Sequence, residues 1–218
     1  MPFCGRVNFD LRETFMIEIW GFALFAYVAS ATPGPNNVLL TAVGASVGIR
    51  RGLPALAGIA GGFAMMIFVV SIGVGQTIVL ADSGVQLGMR LVGLAVLVWL
   101  AWKIATAPVT PEGVPPADMD SVPKREVGFF GAALFQWVNP KAWIICASAI
   151  AAYLNVEQAV LPQAAMLAIT FIAAAILGCL PWLAIGTLVG RYLRGNRARA
   201  FNYVMAALLI VSVVPMML

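Results

Sequence analysis

Long apolar runs, each bounded by a few polar residues, set the pattern of this chain. Six of them reach the roughly 18 to 20 residues that a helix needs to cross a ~30 Å hydrocarbon core. They lie at about Trp20–Val47, Leu53–Leu80, Val85–Ile104, Phe129–Tyr153, Pro162–Val189 and Phe201–Leu218. The ~10-residue alternating segments of a membrane barrel are not seen. The pattern predicts an all-α membrane protein with six transmembrane helices. Between the third and fourth runs lies APVTPEGVPPADMDSVPKRE, whose prolines and acids read as a linker. The expected units are an N-terminal extension 1–15, a first three-helix repeat 16–107, a linker 108–127 and a second three-helix repeat 128–218.

Two of the runs carry interruptions where a membrane helix should be most regular. The first contains ATPGPNNVLLTAVG, Ala31 to Gly44. From Met16 to Ile49 one straight helix would extend ~50 Å at ~1.5 Å per residue, which overshoots the bilayer core. Pro33 and Pro35 have no amide hydrogen, so the carbonyls of Ala29 and Ala31 lose their helical donors. Gly34 permits unusual dihedrals. Backbone groups freed in hydrocarbon cost several kcal/mol each unless something satisfies them. Asn36 and Asn37 carry amides suited to that task, and asparagine is a favoured N-cap for a restarting helix.

The second interruption is FQWVNPKAW in the fourth run, with Asn139, Pro140 and Lys141. Pro140 removes the helical partner of the Gln136 carbonyl. A lysine near the bilayer centre must snorkel, pair, or face a polar cavity. About 105 residues separate Pro35 from Pro140, close to half the chain. Each break lies in the first run of a three-run half. Three is odd, so the second half is inserted upside down relative to the first. Paired broken helices in inverted repeats point to a transporter's midplane site. The expectation is two inverted three-helix repeats with helices one and four broken by proline. Asn36, Asn37, Asn139 and Lys141 are the candidate substrate-binding residues, and Pro33, Gly34, Pro35 and Pro140 form the breaks.

Composition agrees and removes other classes. The chain has 218 residues, is 62% hydrophobic and only 10% charged, against about a quarter charged in soluble domains. Its net charge of +4 is not a nucleic-acid footprint, because most of the basic residues fall in or beside the loops between spans. Arg50 and Arg51, then Lys103, Lys124 and Arg125, then Arg191, Arg194, Arg197 and Arg199 occupy alternate loops, which places those loops in the cytoplasm and both termini outside. The absence of histidine rules out a Ser-His-Asp triad, a Cys-His pair and an HExxH zinc helix. Cys4, Cys146 and Cys179 are too scattered for a disulfide framework or a metal knuckle. No cofactor, metal site or enzyme activity is expected. A passive channel is the rival outside the carrier class.

Other features read as architecture. AGIAGG, with Gly58, Gly61 and Gly62, offers a small-residue face for close helix approach. Trp99, Trp102 and Lys103 suit a cytoplasmic interface belt, and Trp20 an outer one. Pro181 and Trp182 fit either cavity lining or apolar packing. Ala29-Ser30-Ala31 has the form of a signal-peptidase site, but Glu18 and the lack of a positive excess before it argue against cleavage. Translation from Met16 would leave 1–15 as a non-essential extension.

Taken in order, TPGPNN, GIRRG, AGIAGG and VNPKA give the chain from about Met16 onward a resemblance to the lysine and homoserine/threonine exporter family, LysE/RhtB type. Within it, WLAWKIATAP and PWLAIG are most similar to the branch that exports cysteine and O-acetylserine. Substrates overlap across the family, so threonine or homoserine export stands as the alternative. The resemblance implies a multi-pass protein of the bacterial inner membrane that exports amino acids by the proton-motive force. It implies a small amino-acid substrate, protons and membrane lipid as partners; homo-oligomerisation is left open. Some relatives carry an acidic residue in the fifth helix, whereas ILGCLPWLAIG has none. No acidic residue lies at any span centre, which favours a net-neutral substrate over a dibasic one. A helix N-terminus after Pro35 and the ammonium of Lys141 suit a substrate carboxylate. The side-chain oxygens of Asn36 and Asn139 and the freed carbonyls suit its ammonium.

Overall fold

The computed structural model describes residues 11–73, 83–109, 127–155, 157–190 and 192–211. Most of the expected extension 1–15 and linker 108–127, and the ends of the second and sixth runs, lie outside the described residues, as do Cys4, Asp82 and Arg191. The regular structure among the described residues is helical throughout: α1 (Leu11–Ala31), α2 (Pro35–Ser71), α3 (Ser83–Ala105), α4 (Phe129–Val138), α5 (Pro140–Tyr153), α6 (Val160–Gly190) and α7 (Gly195–Val211). Of these, α2 and α6 are long and apolar enough to cross a membrane.

Helix α2 is a hairpin, not a rod. Gly48 sits inside it at φ 78° and ψ 175°, a left-handed φ that side chains resist. Asn36 and Phe63 would lie ~40 Å apart on one straight helix, yet both line the same small cavity. The chain therefore folds back at Gly48. The turn falls where GIRRG separates the first and second apolar runs, with Arg50 and Arg51 exposed beside it. The two limbs, 35–47 and 49–71, are distinct packing units.

Glycines bring specific pairs of helices together. A Cβ on Gly178 would come within 2.9 Å of the Ser30 side chain, and one on Gly186 would strike the Thr41 carbonyl. Residue numbers rise together along this contact, so α6 runs parallel to α1 and the first limb of α2. The second limb does the same with α4. Gly58 abuts the Phe129 carbonyl, and a Cβ on Gly62 would lie 2.6 Å from the Ala133 Cα. The small-residue face expected of AGIAGG is thus a helix contact.

Two apolar clusters flank this arrangement. One holds Leu39, Leu40, Ile59, Leu97, Phe135 and Leu183 between α2, α3, α4 and α6. The other holds Phe22, Phe63, Met66, Ile67, Leu167 and Phe171 between α1, α2 and α6, with Cys146 from α5. Trp20, Trp99 and Trp102 are exposed, and the Lys103 Nζ lies 4.6 Å from the Trp99 ring centroid. Tryptophan and lysine side by side on an outer face suit an interfacial belt.

Candidate functional site

Both proline interruptions are breaks in the helices. At the first, α1 ends at Ala31 and α2 starts with Pro35 at its first position, where a missing N–H costs nothing. Asparagine does not cap this restart, contrary to expectation. Gly34 is the N-cap, and its carbonyl accepts from the Asn37 and Val38 amides at 3.0 Å each. Glycine fits here because the Lys141 side chain lies against it: a Cβ would sit 2.8 Å from Lys141 Cδ and 2.9 Å from its Nζ. At the second break, α4 ends at Val138 and α5 starts with Pro140. Asn139 caps α5, its Oδ1 accepting the Lys141 amide at 3.1 Å. The Gln136 carbonyl, deprived by Pro140, accepts from the Asn139 amide at 3.3 Å instead.

The carbonyls at the first break are taken up internally. Asn37 Nδ2 donates to Thr32 O at 2.8 Å, Ser30 O at 3.0 Å and Ala31 O at 3.4 Å. Trp182 Nε1 donates to Ala31 O at 3.1 Å. Lys141 Nζ donates to Thr32 O at 2.8 Å and Pro33 O at 3.3 Å. The run engaged is Ser30 to Pro33, which includes Ala31 but not Ala29 of the two carbonyls expected to be freed by the prolines. Lys141 neither snorkels away nor stands alone. It ties the start of α5 to the end of α1.

A second set of bonds joins the breaks directly. Asn36 and Gln136 form a reciprocal amide pair, Nδ2 to Oε1 at 2.9 Å and Nε2 to Oδ1 at 3.0 Å. Gln136 Nε2 also donates to Ala132 O at 3.1 Å. Asn139 Nδ2 donates to the same Asn36 Oδ1 at 3.2 Å. Gln136 is 0% exposed and Asn139 and Asn37 are 1% exposed, so none relies on bulk water. Buried amides this well partnered are rigid and specific in a low-dielectric setting.

All four candidate binding residues line one cavity. Its polar end is formed by Ser30, Asn36, Asn37, Asn139 and Lys141, together with Gly34. Its apolar side is formed by Ile59, Phe63, Ile145, Phe171 and Ala175, with Cys179 beside the amides. The Cys179 Sγ lies 3.5 Å from Asn37 Oδ1 and 3.6 Å from Ser30 O. No acidic residue lines the cavity, and no cluster of metal-ligating side chains occurs among the described residues. The cavity volume is about 20 Å³, room for a single water. The helix N-termini at Pro35 and Pro140 both border it and add partial positive charge to that of Lys141, while the C-terminal turn of α1, with Ala29 and Ser30 in the lining, adds partial negative charge.

Gln136, Trp182 and Cys179 complete the constellation around the four expected residues. A signal for Gln136 is present in the sequence: a lone glutamine in an apolar run, three residues before Asn139, shares its helix face. Trp182 fits cavity lining or apolar packing equally in the sequence and Cys179 fits an ordinary apolar helix, and only the folded path of α6 carries them to the break.

The comparisons with known proteins fit this architecture. The LysE type translocator family matches residues 27–217, most of the chain, and the chain belongs to that family. It is a membrane protein of a translocator family. Among curated proteins it is similar to the cysteine/O-acetylserine efflux protein of Salmonella paratyphi A (strain ATCC 9150 / SARB42), 28% identical over 189 residues, covering 87% of this chain and 92% of that protein. It is also similar to the cysteine/O-acetylserine efflux protein of Escherichia coli (strain K12), 26% identical over 200 residues, covering 92% and 96%. No solved structure matches the chain.

Proposed function

We propose that the protein is an exporter of small neutral amino acids or their derivatives, of the cysteine and O-acetylserine kind, in the bacterial inner membrane. It works by alternating access around the cavity between the two proline breaks and is driven by the proton-motive force. Its six spans form two inverted three-helix repeats. The limbs of α2 belong to the first and second spans, and α4 with α5 forms the fourth.

The observation that carries the reading is the cavity itself. Two broken helices bring their N-termini, three asparagines and one lysine to a site with no acidic side chain. Helix N-termini and an ammonium attract a carboxylate, and amide oxygens accept from a substrate ammonium. A dibasic substrate would bring a second positive charge with nothing to meet it. The names of the relatives support cysteine and O-acetylserine as the first substrates to try.

The cavity's size supports a carrier over an open pore. At about 20 Å³ it holds one water and is too small for an amino acid, so transport requires opening. Lys141 and Asn36 now hold backbone and amide partners, and substrate would exchange with those partners. Inverted vesicles test the function. Acidifying their interior should drive saturable accumulation of labelled cysteine or O-acetylserine, and a protonophore should abolish it. Uptake that neither saturates nor responds to the gradient would make the protein a passive channel.

A further inference from the structure

The cavity has a second end that the amide cluster does not explain. Along α6, Phe171, Ala175 and Cys179 all line it. Their spacing of four residues puts them on one helix face. Cys179 touches Asn37 at the amide end. Phe171 lies eight residues earlier, ~12 Å along the axis at ~1.5 Å per residue. There it stacks on Phe63 of α2, ring centroids 3.9 Å apart and planes 9° from parallel. Both rings are 2% exposed. Between the two ends lies only the methyl of Ala175 on that face.

The stack closes a seam between two close-packed bodies. Phe63 belongs to the limb that Gly58 and Gly62 hold against α4, and Phe171 to the helix that Gly178 and Gly186 hold against α1 and the first limb of α2. Across this seam the amide end is joined by directed hydrogen bonds. The aromatic end is joined by two parallel rings. Parallel rings this close gain less from their quadrupoles than offset or edge-on pairs, which favour ~4.5–7 Å. The two rings make no directed bond across the seam, so their separation breaks none.

Resting on the exporter reading, we propose that Phe63 and Phe171 are the specificity-determining wall of the site. The transported molecule's head group engages the amides and Lys141, and its side chain must part the stack. The present cavity of about 20 Å³ has room for a single water, so any amino-acid side chain has to displace something at this end. The accepted side-chain size is therefore set by how far these two rings separate, with Ala175 as the floor between them.

The experiment is counterflow in proteoliposomes with wild type, Phe171→Ala, Phe171→Leu and Phe63→Leu, comparing cysteine with leucine and phenylalanine. Trimming either ring should raise the rate ratio of the larger amino acids to cysteine, by about tenfold or more for Phe171→Ala, within the range a few pocket methylenes command. The leucine variants keep most of the packing volume and should shift the same ratio in the same direction by less. An unchanged ratio in variants that still carry cysteine overturns the assignment. If wild type carries no amino acid, the exporter reading fails separately. The wall is then read without transport, from alkylation of Cys179 in a Cys4→Ala, Cys146→Ala background. Faster alkylation on trimming Phe171 supports the stack as the closure, and an unchanged rate overturns it.

Discussion

Asn36 and Gln136 exchange two hydrogen bonds across the molecule, one residue from each of the two broken helices. The pair is one of three direct links between the breaks, with Asn139 to Asn36 and Lys141 to Thr32. Removing Asn36 strands the buried Gln136 amide, which costs ~1–3 kcal/mol, and removing Gln136 leaves the half-buried Asn36 Oδ1 with Asn139 as its donor. Asn36→Ala and Gln136→Ala should each lower the thermal unfolding midpoint in detergent. The double variant should fall by less than the sum, with a coupling of ~0.5–3 kcal/mol. Strictly additive losses would show that the two amides do not act as a unit.

Lys141 joins the start of α5 to the carbonyls of Thr32 and Pro33. Lys141→Ala should abolish export and also loosen the first break, because a charge-assisted bond contributes ~1.5–3 kcal/mol. Lys141→Arg should not restore export. The guanidinium is a rigid planar fork where the site has room for a point charge lying along Gly34. Transport assays on protein of verified fold separate this from a general folding defect. Full activity in the arginine variant would mean that charge alone suffices.

The glycines should divide into two kinds. A Cβ on Gly34 would press the far end of the flexible Lys141 chain, and Gly34 has extended backbone open to any residue. Gly34→Ala should therefore lower stability by no more than the Lys141 hydrogen bond it disturbs, ~1.5–3 kcal/mol, while impairing transport. A Cβ on Gly186 would meet the Thr41 backbone, which cannot step aside. Gly186→Ala should lower stability by ~1–3 kcal/mol, as overpacking does. Unfolding curves with parallel transport assays check both.

Gly48 should be sensitive for a different reason. Its φ of 78° with ψ of 175° lets α2 fold back in a region open essentially to glycine alone, and an alanine there meets a penalty of roughly 1–3 kcal/mol. Gly48→Ala should reduce folded yield without altering the substrate preference of the protein that does fold.

Much of this is legible in the sequence because it follows from covalent chemistry. A proline has no N–H, so Pro33, Pro35 and Pro140 mark the breaks by their positions in the chain alone. The turn at GIRRG and the packing role of AGIAGG follow from glycine and charge placement. The hydrogen-bond partners are less legible. Asparagine at a restart suggests an N-cap, yet Gly34 holds that place and Asn37 turns back to Ser30 and Thr32. Long-range neighbours such as Trp182 on Ala31 depend on how α6 lies beside α1, which local pattern does not encode. The pairing of Phe63 with Phe171 is of the same kind: two phenylalanines among twelve, joined only by the fold.

Counterflow with the wild-type protein tests the central claim most directly. Proteoliposomes loaded with unlabelled O-acetylserine would be diluted into labelled cysteine or labelled O-acetylserine, with threonine and lysine in parallel. The account predicts transient accumulation of label for cysteine and O-acetylserine and none for lysine. Accumulation of threonine alone would move the substrate within the family. Absence of counterflow for every amino acid, in protein shown to be folded, would contradict the carrier reading and leave the cavity between Pro35 and Pro140 without the role assigned to it.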